Sequence, residues 1–304
     1  MPPVVLVTGA SGLIGARTLE PLQALGFDVR GVARNPPVNP VCPFIAADLL
    51  DAQAMRAVLA SVQPTHVLHC AWDVTHGKFW HAPENLDWAA ASLLLAKAAA
   101  EAGVQRFVGV GTGAEYDWSD DGVQPRRESD PAVPVTLYGQ AKNTTRLLQE
   151  AYFRTTGTSF AWGRVFDLFG TGEAGSRLVP SAISALRAGQ PFACRQGQLL
   201  RDYLAVEDVG LALAHLVASP VQGAVNIASG TPISLADLTR HIAAVIGCPD
   251  LLTVETHPAQ NQPLTIRPDI TRLRQEVGAP PPPPLWTRVD AYLASSQPAH
   301  RGRD

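Results

Sequence analysis

Residues 4–15 read VVLVTGASGLIG, so a run of β-branched and apolar residues ends in three glycines spaced three apart. Apolar residues then recur at helical spacing through Leu25. The pattern predicts a buried strand, a tight turn and a helix at the start of the chain.

The three glycines indicate a phosphate-binding turn. A helix N-terminus offers unpaired backbone N–H groups and the positive end of the helix dipole, which together bind an anion. Gly9 and Gly12 lack the Cβ atoms that would block a pyrophosphate, and Gly15 lets the helix pack closely on the strand. A glycine-rich turn alone would fit many α/β units, but this one follows a strand and opens a helix. We therefore predict a dinucleotide-binding turn.

Composition excludes several classes of protein. With 304 residues, 46% of them apolar, the chain can bury a large core, and its net charge of -3 without a basic run argues against a nucleic-acid partner. The most apolar later stretch, 89–100, is too short to span a membrane, and the first residues lack the basic segment of a signal peptide. The four cysteines are far apart and contain no Cys-x-x-Cys pair, so we expect neither a metal site nor a disulfide framework. Together these features predict a cytoplasmic protein without a membrane partner.

Strand and helix patterns alternate as far as Val165, which predicts an α/β fold with a Rossmann-type, doubly wound parallel sheet and a smaller C-terminal lobe. We assign 1–165 to the dinucleotide-binding domain, with 198–228 returning to it, 166–197 and 229–294 to a substrate-binding lobe, and 295–304 to a loose tail.

The end of the second predicted strand favours one dinucleotide. In a βαβ unit this position faces the adenosine ribose, where an acid bonds the ribose hydroxyls and an arginine accepts a 2′-phosphate. The chain has Arg34 and no acid there, which favours NADP over NAD, although a solvated turn arginine would look the same. Asp48 ends the third strand and is predicted to bond the adenine amino group.

Residues 72–83 are rich in aromatic side chains and show neither helical nor strand spacing. Long loops above the carboxyl edge of a parallel sheet often close over a ligand, and plain loop packing explains such a stretch equally well.

Tyr138 and Lys142 lie four residues apart in a strongly helical segment, so they share one helix face. An ammonium there can lower the phenol pKa and make Tyr138 a usable acid or base. Thr112 ends the preceding strand, and the three residues together predict an enzyme.

The glycine turn, Thr112 four residues before Tyr116, and Tyr138-x-x-x-Lys142 resemble the extended short-chain dehydrogenase/reductases, in particular the NAD(P)-dependent epimerase/dehydratase group that acts on nucleotide sugars. The stretches 201–209, RDYLAVEDV, and 225–230, VNIASG, are similar to later motifs of that group. The resemblance covers about residues 4–278.

The resemblance implies roles for individual residues. Tyr138 would donate or accept a proton, Lys142 would hold the nicotinamide ribose, and Thr112 would bond the reacting oxygen. The predicted cofactor-binding set is Gly9, Ser11, Gly12, Leu13, Ile14, Gly15, Arg34, Asp48, Leu49, Ala71, Tyr138 and Lys142, and the predicted substrate-binding set is Glu115, Asp167 and Arg201. Of these, Arg201 would meet the nucleotide diphosphate.

The chain departs from the family pattern after Thr112. Sugar 4,6-dehydratases carry an Asp-Glu pair there, whereas this chain has Gly113-Ala114, which disfavours dehydration. On an extended segment Glu115 would face away from the substrate, and a bend would return it to the site. Asp167 stands where the family often has Asn.

Two reactions fit the remaining groups. A reductase would take hydride from NADPH and a proton from Tyr138 at a keto carbon of a nucleotide-linked 4-keto-6-deoxy sugar, and Arg34 favours this choice. A nucleotide-sugar 4-epimerase with bound NAD(P) is the alternative. A dinucleotide-binding redox sensor without catalysis is a third reading, against which Thr112, Tyr138 and Lys142 argue.

Helices predicted at 85–102 and 137–155 are rich in Ala and Leu. In the family the equivalent pair forms a four-helix bundle between two subunits, so we expect a homodimer, although core packing would explain the composition equally well.

Overall fold

The computed structural model describes residues 1–120, 122, 124–256 and 262–296. Of the tail predicted at 295–304, residues 297–304 lie outside this description.

The strands are β1 (Val4–Thr8), β2 (Asp28–Ala33), β3 (Phe44–Ala46), β4 (His66–His69), β5 (Arg106–Thr112), β6 (Ser159–Val165), β7 (Asp167–Phe169), β8 (Phe192–Cys194), β9 (Leu200–Arg201), β10 (Tyr203–Ala205), β11 (Gly223–Ile227), β12 (Ile233–Ser234) and β13 (Leu252–Val254). The α-helices are α1 (Gly15–Ala24), α2 (Ala52–Val62), α3 (Glu84–Glu101), α4 (Leu137–Thr156), α5 (Leu178–Arg187), α6 (Val206–Ala218), α7 (Leu235–Ile246), α8 (Thr271–Gln275) and α9 (Leu285–Ser295).

Among the described residues, seven parallel strands form one sheet in the order β11-β6-β5-β4-β1-β2-β3. An apolar cluster lies on each face of the sheet. Helices α1 and α6 cover one face, and α2, α3 and α4 cover the other. Both faces are covered, which explains the nearly continuous apolar strands. The predicted Rossmann-type, doubly wound sheet is confirmed.

The register brings the predicted site residues to one edge. Thr8 at the end of β1 lies beside Val32 of β2 and His69 of β4. The strands run in parallel, so the loops that follow β1, β2, β4 and β5 emerge together at the carboxyl edge, where ligands of this sheet type bind.

Two glycines in β5 make room for one large side chain. Trp162 of β6 is almost fully buried, and a Cβ atom added at Gly109 would lie 2.3 Å from its ring. A Cβ atom at Gly111 would lie 2.0 Å from Trp162 Nε1 and 2.2 Å from Glu115 Oε1. Strand β5 therefore packs against an indole ring that a side chain at either position would displace.

Helix α4 begins close to the sheet edge with a clear cap. The Thr136 side chain accepts a hydrogen bond from Gly139 N at 3.1 Å, and the helix ends at Gly157 with φ of 77°. The cap places Tyr138 in the first turn and Lys142 one turn later.

A second apolar cluster lies in the C-terminal half and contains side chains of α5, α7 and α9. Tyr203 and Ala205 of β10 belong to it, whereas Leu273 and Val277 pack in the core of the main sheet. Part of the segment 198–228, predicted for the dinucleotide-binding domain, thus packs in the C-terminal cluster, and part of 229–294, predicted for the substrate-binding lobe, packs in the core of the main sheet. The division into two domains stays a prediction. Within the described ranges, we find no helix long and apolar enough to cross a membrane.

Candidate active site

The loop between β1 and α1 has a backbone shape that only glycine allows at two positions. Gly9 has φ of +65°, and a Cβ atom there would lie 2.8 Å from the backbone of Ala71. A Cβ atom at Gly15 would lie 2.3 Å from the carbonyl oxygen of Gly9. Ser11 and Gly12 are exposed in the loop just before α1, so an anion can approach the backbone there. The loop thus fits the pyrophosphate of a dinucleotide.

The residues predicted for the adenosine end also lie at this edge. Arg34 is exposed directly after β2, and the Ala10 backbone N–H donates to Val32 O at 3.2 Å, which ties the glycine loop to that strand. Asp48 is exposed after β3 and accepts from Leu50 N at 3.1 Å. Leu49 is buried against the helices instead, and its contact with a cofactor stays a prediction.

Tyr138, Lys142 and Thr112 come together as the sequence predicts. Tyr138 is 8% exposed, and its phenol hydrogen-bonds the side chain of Thr112. Lys142 is buried, and its Nζ donates to Val110 O at 2.8 Å and lies 3.9 Å from the ring centre of Trp72. The arrangement places one phenol and one amine at the end of β5, next to a hydroxyl.

The expectation that Lys142 lowers the phenol pKa is wrong. Burial raises the pKa of Tyr138 above its ordinary value, and the hydrogen bond from Thr112 and the charge of Arg177 oppose this only in part. Burial also lowers the pKa of Lys142 to about 7, which weakens its positive charge at neutral pH. Burial of Tyr138 therefore favours the protonated form of its phenol.

The aromatic loop 72–83 lies directly against Tyr138. Phe79 packs edge-on to the phenol ring with ring centres 4.9 Å apart, and Trp72 and Trp80 also contact it edge-on. The backbone N–H of Tyr138 donates to Trp80 O at 3.1 Å. The aromatic side chains of the loop thus cover the phenol ring of Tyr138.

Asn85, at the start of α3, holds this cover in place. Its amide donates to Phe79 O at 2.7 Å and to Ala82 O at 2.9 Å, and its Oδ1 accepts from Trp72 Nε1 at 2.9 Å. One buried amide therefore connects both ends of the aromatic segment.

The structure places the carboxylate of Glu115 in the protein interior, which disfavours its predicted contact with substrate. A 3-10 turn at 113–115 turns its fully buried carboxylate toward the sheet. The carboxylate accepts from Thr112 N at 2.9 Å, Trp162 Nε1 at 2.8 Å and Arg164 Nε at 2.8 Å. Glu115 thus supports Thr112 from behind, through the hydrogen bond that its carboxylate accepts from the Thr112 backbone N–H.

Asp167 begins β7 and Arg201 ends β9, two strands that pair with different partners. Arg201 is 6% exposed and donates to Leu200 O at 2.8 Å, and its charge acts on Asp167. Burial raises the pKa of Asp167, and Arg201 and Arg177 oppose this. Contact of either residue with a substrate stays a prediction.

Sequence reasoning missed three parts of this site. Trp72 covers Lys142, Asn85 holds the aromatic loop, and Glu173 pairs with Arg177 beside Asp167. Two of them had a local signal: Trp72 belongs to the aromatic stretch 72–83, and Glu173 and Arg177 stand four residues apart with opposite charges.

Comparison with known proteins agrees with this geometry. Residues 5–228 match the model of the NAD dependent epimerase/dehydratase family. The UDP-glucose 4-epimerase of Azospirillum brasilense is 27% identical over 283 residues, which cover 81% of this chain and 78% of that protein. The dTDP-6-deoxy-L-talose 4-dehydrogenase (NAD(P)(+)) of Kitasatospora kifunensis is 30% identical over 301 residues, covering 92% and 91% of the two chains.

Solved structures show the same fold. The UDP-glucose 4-epimerase of Thermotoga maritima, solved with UDP-glucose, superimposes with a TM-score of 0.82 at 22% identity and covers 96% of this chain and 97% of its own. The Thermus thermophilus UDP-glucose 4-epimerase in complex with NAD gives a TM-score of 0.81 at 21% identity, with 96% and 98% coverage. The chain therefore belongs to the NAD dependent epimerase/dehydratase family of extended short-chain dehydrogenase/reductases, and it is an NAD(P)-dependent enzyme.

Proposed function

We propose that this enzyme reduces the keto carbon of a nucleotide-linked 4-keto-6-deoxy sugar, with NADPH supplying the hydride when bound and Tyr138 the proton. The observation that carries the proposal is the buried phenol of Tyr138, whose pKa is raised by burial and which hydrogen-bonds Thr112. A phenol that keeps its proton can protonate a developing alkoxide, and the Thr112 hydroxyl can share that oxygen.

The residues after Thr112 support reduction over dehydration. Gly113 and Ala114 carry no acid or base, and the carboxylate of Glu115 is engaged by Arg164 and Trp162. The Kitasatospora kifunensis relative, a dehydrogenase of a dTDP-linked 6-deoxy sugar, favours the same substrate class.

A 4-epimerase is the second candidate, because several relatives and structural neighbours are UDP-glucose 4-epimerases. The two reactions differ in cofactor balance. A reductase consumes one NADPH for each keto sugar, whereas an epimerase changes a sugar hydroxyl without net consumption.

The test offers the purified protein dTDP-4-keto-6-deoxyglucose with NADPH, and separately UDP-glucose with NAD. Absorbance follows the cofactor, and chromatography follows the sugar nucleotide. We expect loss of NADPH equal to product in the first assay. Conversion of UDP-glucose to UDP-galactose, with no NADPH consumed in the first assay, would establish the epimerase instead.

We propose NADPH as the preferred cofactor because Arg34 is exposed at the strand end that faces the adenosine ribose. Arg34→Ala should weaken NADPH binding about tenfold, the scale of one charge-assisted hydrogen bond, and leave NADH binding within about twofold. Titration calorimetry with both cofactors measures the ratio. Arg30→Ala on the same strand, which removes an ion pair with Asp28, is the matched control. An unchanged ratio in Arg34→Ala would remove Arg34 from the cofactor site.

We also propose a homodimer through α3 and α4. The two helices pack together and expose leucines, namely Leu86, Leu94, Leu147 and Leu148, each about half exposed or more. Sedimentation equilibrium should give twice the chain mass of 32.3 kDa, and Leu94→Glu should halve it. Leu25→Glu, at an exposed leucine after α1, should not. A wild-type monomer at micromolar concentration would contradict the proposal.

A further inference from the structure

The loop 170–177, between β7 and α5, connects the cofactor helix with the proposed substrate side. Arg17 of α1 donates to Thr171 O at 2.8 Å, and a Cβ atom at Gly172 would lie 3.5 Å from Leu13. At its other end the loop carries Arg177, whose charge acts on the phenol of Tyr138 and on Asp167. The loop therefore brings a cation close to the reacting groups.

Arg177 forms an ion pair with a buried acid, Glu173. Glu173 Oε1 lies 2.8 Å from Arg177 Nε, and the Glu173 side chain is only 2% exposed, against 32% for Arg177. The second carboxylate oxygen, Oε2, is buried and has no hydrogen-bond partner among the residues that the structure describes. The carboxylate of Glu173 is thus enclosed with one oxygen paired to Arg177, whereas the Arg177 side chain is partly exposed.

We propose that Arg177 binds the diphosphate of the nucleotide sugar and that Glu173, released from the guanidinium, takes up one proton from solvent as the substrate binds. The proposal rests on the proposed substrate class. No covalent bond of the substrate changes in this step, and the proton passes from water to a Glu173 oxygen.

The physical reason is the cost of an unpaired buried charge. Once the guanidinium of Arg177 turns to phosphate, an ionised Glu173 would stay buried beside a dianion without its cation, which is strongly unfavourable. Protonation removes that charge and gives the carboxyl an O–H donor. Burial already raises the pKa of Glu173 to about 7, against the opposing charge of Arg177, so protonation near neutral pH costs little.

The groups around Glu173 act in the same direction. Asp167 of β7 raises the pKa of Glu173 further, and the charge of Glu173 in turn raises the pKa values of Tyr203 on β10 and Tyr292 on α9. Two further pairs of opposite charges lie nearby: the charge of Asp167 acts on Arg201, and Glu207 of α6 forms an ion pair with Arg17 of α1.

The charge balance of the pocket leads to the same conclusion. An ionised Glu173 offsets part of the positive charge of Arg177 and Arg201 and so opposes the approach of a diphosphate. Protonation of Glu173 makes the local charge more positive by one unit, which favours an anion.

Titration calorimetry of the whole protein tests the proposal, with dTDP-glucose and UDP-glucose as probes. The diphosphate of neither probe takes up or loses a proton near neutral pH. The binding enthalpy is measured in buffers of different ionisation enthalpy, and its dependence on the buffer gives the number of protons that the protein takes up. We expect uptake approaching one proton at about pH 8, and an affinity that is full below pH 7 and falls about tenfold per pH unit above it. Glu173→Gln should bind about tenfold more tightly than wild type at about pH 8, with no uptake.

Two further variants separate the role of the pair from structural damage. Arg177→Gln should weaken binding at every pH by about tenfold or more and abolish the uptake. Glu276→Gln breaks a partly exposed Arg–Glu pair of the same spacing, between Arg272 of α8 and the residue after that helix, and should keep the uptake of wild type.

The outcomes distinguish this inference from the proposed function. Binding without proton uptake in wild type, or uptake that persists in Glu173→Gln, overturns the inference alone. If neither nucleotide sugar binds wild type between about pH 6 and 8, the proposed substrate class fails, and the inference fails with it.

Discussion

Replacing Tyr138 with phenylalanine should lower kcat for reduction of a 4-keto nucleotide sugar by about 10²- to 10⁴-fold, the usual contribution of a positioned acid. The substitution removes only the phenol oxygen. The ring keeps its packing against Phe79, Trp72 and Trp80, so the fold and the aromatic loop should survive. KM should change little, because the lost interaction forms chiefly as the alkoxide develops.

Steady-state NADPH oxidation measures this effect, with thermal unfolding as the check on the fold. Tyr152→Phe removes the same atom from the same helix, at a side chain that packs on Phe153, and should retain wild-type kcat. A Tyr138→Phe enzyme with turnover within a few-fold of wild type would show that the proton comes from another group.

Replacing Glu115 with glutamine should destabilise the protein by about 3–5 kcal/mol, the cost of breaking a buried ion pair on one side. Arg164 is 1% exposed and would keep its charge without the carboxylate that Glu115 now supplies at 2.8 Å. Urea unfolding should show a lower midpoint. Turnover should also fall, because Glu115 accepts the Thr112 backbone N–H and so fixes the end of β5.

Glu150→Gln is the comparison variant. Glu150 pairs with Arg146 at 2.8 Å, and the same arginine lies 4.0 Å from the carboxylate of Glu115. Its side chain is 28% exposed, and a partly solvated pair contributes about 1 kcal/mol or less. If Glu115→Gln and Glu150→Gln lowered the urea unfolding midpoint equally, the hydrogen bonds of Glu115 would contribute no more stability than a surface ion pair.

Patterns within short segments predicted most of what is confirmed. The glycine turn and the alternation of strands and helices each depend on neighbours within about one element, and so does the spacing of Tyr138 and Lys142. Because parallel strands carry their loops to a common edge, this local information also implied where the residues would meet.

The errors arose where distant residues decide the outcome. Glu115 faces inward because Trp162 and Arg164, on the next strand, engage its carboxylate. The phenol pKa of Tyr138 rises because of burial, which includes the covering loop at 72–83, and neither effect can be derived from the spacing of Tyr138 and Lys142.

The packing of Trp162 under Gly109 and Gly111 sets a rule for engineering this enzyme. A library that varies position 111 alone should contain mostly destabilised members, because any side chain there would collide with the indole and with the carboxylate of Glu115. Varying 109, 111 and 162 together, with smaller residues at 162, would let β5 accept side chains. In sequence comparison, we expect these positions to change as a group and not one at a time.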